Sequence, residues 1–71
     1  NVLTIRYMIE SSSDADISVY SSAGKLMWRK ENVGGYGMNS VDVPMDGYID
    51  GEYLVLMVVG DEVYSEKVLK L

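Results

Sequence analysis

Seventy-one residues, 48% of them hydrophobic and 24% charged, suffice for one small globular domain with a marginal core. A net charge of −5 argues against a broad surface for nucleic acid or anionic membrane. With no cysteine and no histidine, the chain has no disulfides or cysteine metal sites, and lacks the commonest general base and metal ligand.

Period two dominates the chain. In "LTIRYMI", Leu3, Ile5, Tyr7 and Ile9 share one face, opposite Thr4, Arg6 and Met8. "ESSSDAD" reads as a polar turn, rich in side chains that bond their own backbone. "DISVYS" places Ile17 and Val19 opposite Ser18 and Tyr20, and "SAG" then breaks the run, with Gly24 expected at positive φ in a hairpin turn.

"KLMWRKE" reads as the third strand, with Leu26 and Trp28 on one face and Met27 and Arg29 on the other. "NVGGYG" is a glycine-marked loop. "NSVDVP" sets Val41 and Val43 against Ser40 and Asp42 until Pro44 stops the ladder. "MDGYIDG" is a crossing loop, with Met45 expected to plug the end of the core.

"EYLVLMVVG" is apolar on both faces, and its eight-residue apolar run "YLVLMVVG" is far short of a membrane span. Stacked sheets can bury one of its two rows, Tyr53, Val55 and Met57 or Leu54, Leu56 and Val58, which leaves the other for an edge or an interface. "DE" is expected as the last turn. "VYSEKVLKL" then returns with Tyr64, Glu66 and Val68 on one face and Val63, Leu69 and Leu71 on the other. Turn signals recur about every eight to twelve residues, the pattern of a small antiparallel sandwich. The expected fold is all-β, an immunoglobulin-like sandwich of six to seven strands over residues 1–71. Asn1 stands where a Met would start a gene product and no charged-then-apolar leader precedes the pattern, so the chain is expected to be a module cut from a longer parent.

The order of these motifs resembles two related families. "LTIRYMIESSSDADISVYSSAGKLMWR" is similar to the opening of the immunoglobulin-like module of flagellar hook-capping proteins and of many secreted bacterial enzymes, through Val19, Tyr20, Ala23, Gly24 and Lys25. "NSVDVPMDGYIDGEYLVLMVVGDEVYSEKVLKL" resembles the C-terminal sorting domain of the bacterial type IX secretion system. The matching positions are Asn39, Val41, Val43, Gly51, Tyr53, Gly60, Tyr64, Lys67 and the closing "VLKL". That resemblance implies a non-catalytic domain at the end of a secreted protein, linked to an N-terminal cargo domain. The protein would pass through the periplasm to the cell surface or the medium. Secretion machinery proteins would be its partners, and Lys67, Val68, Leu69, Lys70 and Leu71 the recognised tail. Gly51 would permit a sharp entry to its strand and Tyr53 would fill the core.

Other features carry competing readings. Trp28, with Tyr20, Tyr36 and Tyr48, could stack sugar rings in an accessory module that acts as a spacer or weak polysaccharide binder. Trp28 placed beside Leu26 on an inward face is instead core, and that reading is preferred. Asp42, Asp46, Asp50, Asp61 and Glu62 invite calcium, but "DVPMDGYIDGE" lacks the alternate-residue ligand spacing, and Asp-Gly is first of all a turn dipeptide. The carboxylates have no visible cleft to flank, and the serines of "SSS" have no histidine to activate them. No enzyme activity, cofactor, metal, nucleic acid or membrane insertion is expected. Lys67 and Lys70 would guard an edge strand or serve as handles for a strand-adding receptor, two roles that are compatible.

Overall fold

The computed structural model describes residues 2–10, 14–33 and 35–71, with Asn32 and Val33 as backbone only. Six strands follow in order: β1 (Val2–Ile9), β2 (Ala15–Ser21), β3 (Leu26–Val33), β4 (Gly37–Pro44), β5 (Gly51–Val59) and β6 (Glu62–Lys70). All pairings are antiparallel, in a two-stranded sheet β1-β4 and a four-stranded sheet of order β3-β2-β5-β6. The expected small all-β sandwich is therefore what the chain forms.

Alternation in the sequence becomes the two inner faces. Leu3, Ile5, Tyr7 and Ile9 of β1 lie in register with Val43, Val41, Asn39 and Gly37 of β4. Facing them are Ala15, Ile17 and Val19 of β2 and Tyr53 and Val55 of β5, all buried. Met45 is buried too, just past Pro44, and packs with the core cluster as expected. Each fully buried Ile or Val contributes roughly 1.5 to 3 kcal/mol of transfer free energy.

Turns follow local chemistry. The Gly24 N–H donates to the Ser21 carbonyl at 2.9 Å, with Gly24 at φ +85°, where an L side chain would be strained. Asn39 holds the β3–β4 loop: its Nδ2 donates to the carbonyls of Gly35 at 2.6 Å and Gly37 at 3.0 Å. The "ESSSDAD" turn lies partly outside the described residues, and β2 already begins at Ala15, where a fully buried methyl extends the ladder.

Two expectations need correction. Val19 pairs with Trp28 but Tyr20 pairs with Leu26, so Met27 is an extra residue bulged into β3. The bulge flips the alternation: Leu26 lies opposite the outward Tyr20 and is exposed, while Met27 and Trp28 both pack against the core. The last turn also falls one residue early. Val59 pairs with Glu62, so Gly60 and Asp61 form the turn, with Gly60 at φ +58°.

Candidate recognition surface

Two strands cannot cover four. The inner face of β6 therefore extends past the β1-β4 sheet, leaving Tyr64 half exposed and Glu66 exposed. β6 is also an outer edge of its sheet, with one side of its backbone unpaired. The two-residue turn makes Val59 and Glu62 a hydrogen-bonded pair, so by alternation Glu62, Tyr64, Glu66, Val68 and Lys70 bond β5. Val63, Ser65, Lys67 and Leu69 turn their N–H and C=O groups away from the sheet.

The proposed tail divides along this alternation. Val68 lies opposite Tyr53 and packs against the core. Lys70 lies opposite Gly51; its Nζ is 3.3 Å from Asp50 Oδ1, and its side chain is only 14% exposed. Lys67, Leu69 and Leu71 are exposed, and Lys67 makes no ion pair among the described residues. Two tail residues thus brace the fold and three face solvent.

Lys67 also borders an open groove of about 540 Å³ on the outer face of the four-stranded sheet. Tyr20, Leu54 and Leu56 give it an apolar floor, with Glu52 and Ser21 on its walls. The double apolarity of β5 was the signal for this surface, since Leu54 and Leu56 are the row that the second sheet does not cover.

Tyr53 and Gly51 set the entry to β5. The Tyr53 hydroxyl donates to the Ile49 carbonyl at 2.5 Å, and Gly51 sits at φ +146°. A tyrosine bonded back to the backbone just upstream is a device of sandwich corners. Tyr7 has the opposite situation: its hydroxyl is buried with no hydrogen-bond partner among the described residues, and burial raises its pKa. Tyr64 donates to the Glu62 carboxylate; that bond, and the adjacent negative charge, raise its pKa.

The four aromatic residues considered for sugar stacking are placed differently, and Tyr20 lines the outer groove. Trp28 packs against the core. Tyr48 is half buried, its ring 5.6 Å from that of Tyr53 and its hydroxyl donating to the Met27 carbonyl at 3.1 Å. Tyr36 is 81% exposed. The carboxylates are dispersed as well. Asp42 accepts from Thr4 Oγ1 at 2.8 Å, Asp50 holds Lys70, and Asp46 and Asp61 sit in turns. Among the described residues no group of three or more acidic side chains is placed to hold a metal ion.

No protein-family model, curated protein or solved structure matches the chain. The surface must therefore be read from its own chemistry. That chemistry is an unpaired strand edge with one unpaired cation and apolar side chains, beside an apolar groove. Such an edge can accept an extended segment through backbone hydrogen bonds, with alternate side chains giving selectivity.

Proposed function

We propose that this chain is a non-catalytic sorting domain that directs a secreted bacterial protein across the outer membrane by type IX secretion. The observation that carries the reading is the division of Lys67–Leu71. Val68 and Lys70 fasten the tail to the sandwich, and Lys67, Leu69 and Leu71 are presented on a free edge. The resemblance of "NSVDVP", "GEY" and "KVLKL" to that family's motifs supports the same reading. The partners would be proteins of the secretion machinery and a covalently linked N-terminal cargo domain. The destination would be the cell surface or the medium, reached through the periplasm.

The fold supports a mechanism for this reading. A tail locked in register offers a receptor an ordered strand, so little ordering entropy is lost on binding. Fusing residues 1–71 behind a periplasmic reporter, in a host with type IX secretion, tests the reading. Reporter should reach the surface or medium, whereas reporter alone stays inside; a folded fusion retained in the periplasm refutes it.

The alternative of a spacer or weak carbohydrate-binding module of an extracellular enzyme has less support. Trp28 and Tyr48 are engaged with the core and Tyr20 is partly buried, which leaves Tyr36 as the one largely exposed ring of the four. Retention on an insoluble polysaccharide that is lost on Tyr36→Ala would favour that module, whereas Trp28→Ala also unpacks the core and would not discriminate.

A further inference from the structure

The sandwich has four edge strands, which differ in regularity and in how well each complements itself. β3 carries two register shifts, one between its pairings to Ala15 and Ile17 and one at Met27. β4 ends on Pro44, and β1 carries the single charge of Arg6 with no carboxylate to complement it. β6 is nine residues long and pairs with β5 without a register shift. Length and regularity favour a further strand on such an edge, while the charges of Glu62, Glu66, Lys67 and Lys70 disfavour a strand that does not complement them.

The sequence of β6 is complementary to itself when read backwards. A symmetric antiparallel pair needs a dyad perpendicular to the sheet, so outward-bonding residues meet outward-bonding residues and both inner faces stay on one side. With the dyad at Glu66, Val63 faces Leu69, Tyr64 faces Val68, Ser65 faces Lys67, and Glu62 faces Lys70 at both ends. Val63 and Leu69 are 65% and 63% exposed in the single chain, so this register covers them against each other. Moving the dyad to Lys67 sets two lysines face to face and puts Tyr64 opposite Lys70. Moving it to Ser65 puts Val63 opposite Lys67. Only the Glu66 register of these three sets the exposed Val63 and Leu69 against each other and avoids opposing lysines.

We propose that two copies of this chain associate through β6, giving a continuous eight-stranded sheet with Glu66 on the dyad. The cost is one like-charged pair, Glu66 against Glu66. Arg6 of β1 lines the same cleft as Glu66. A single exposed like-charge pair weakens a strand contact without abolishing it. One strand per copy is a small interface, and the dimer is of the weak, transient class. It stands on the edge and its register, independently of the sorting role.

Sedimentation equilibrium of the 71-residue chain between about 10 μM and 1 mM tests the proposal, a range suited to a micromolar or weaker dimer. Dimer should grow with concentration, and Glu66→Gln should lower the dissociation constant by up to about 5-fold, the scale of a removed like-charge contact. Ser65→Pro removes only an outward N–H and should leave a folded monomer; should it fail to fold, exposed Val63→Lys replaces it. Hydrogen exchange on the unaltered chain gives an independent reading. The amides of Val63, Ser65, Lys67 and Leu69 should gain protection with concentration, and those of β3 should not. Monomer throughout for both the parent chain and Glu66→Gln, or protection rising elsewhere but not on β6, overturns the proposal.

Discussion

Lys70 Nζ lies 3.3 Å from Asp50 Oδ1, joining the last residue of β6 to the residue before β5. The partners are unequal: the Lys70 side chain is 14% exposed and that of Asp50 is 72% exposed. Lys70 therefore lays a buried stem along the end of the sandwich and emerges at a carboxylate largely in water. The ion pair itself is screened and weak, of the class worth about 0 to 1 kcal/mol.

Replacing the two partners should therefore have different effects. Asp50→Asn is expected to change stability by less than about 0.5 kcal/mol. Lys70→Ala should cost more, about 1 kcal/mol, because packing is lost with the charge. Urea denaturation of both variants checks the order, and equal losses would mean that charge alone matters.

Tyr7 and Tyr53 offer a paired test of buried hydroxyls. Tyr53→Phe removes the bond to the Ile49 carbonyl and should cost about 0.5 to 1.5 kcal/mol. Tyr7→Phe removes a hydroxyl with no partner among the described residues, and should be neutral or stabilising. pH separates the two further. Burial raises the folded-state pKa of Tyr7, so its contribution to stability is fully present below the unfolded value near 10 and is lost as pH rises through the folded value. Tyr7→Phe should flatten the alkaline side of the stability profile, as measured by denaturation across that range.

Gly51 and Gly35 separate strain from space. An added Cβ would meet nothing within 4 Å at either position, yet Gly51 sits at φ +146°. Gly51→Ala should cost about 1 to 3 kcal/mol through the backbone alone. Gly35→Ala should lie within about 0.5 kcal/mol of the parent. Thermal unfolding of the two proteins decides it, and similar losses would mean that conformation is not the cause.

Much of this fold is legible in period two. Ile17 with Val19 and Val41 with Val43 are buried where alternation grouped them, one of the two apolar rows of β5 is buried through Tyr53 and Val55, and Gly24 takes its positive φ. The doubly apolar row of β5 likewise announced a surface left over. What local pattern could not supply was pairing. Whether Leu26 faces in or out depends on the bulge at Met27, which shows only against Val19 and Tyr20 of the neighbouring strand. The last turn is fixed by Val59 meeting Glu62, and Asp-Glu looks as turn-like as Gly-Asp in isolation. In the tail, alternation groups Lys70 with Val68, but its carboxylate partner stands 20 residues away at a corner of the sandwich.

The central claim is that the folded tail is an address, and simple truncation of Lys67–Leu71 would blur it by removing Val68 from the core. The most direct measurement is export of the reporter fusion with Lys67, Leu69 and Leu71 changed together to Glu, Ser and Ser, leaving Val68 and Lys70 in place. These three side chains face solvent, so the domain should keep its fold and unfold within a few degrees of the parent. The account predicts export by the parent tail and retention of the folded variant in the periplasm. Equal export of both would show that these side chains carry no address, and would contradict it.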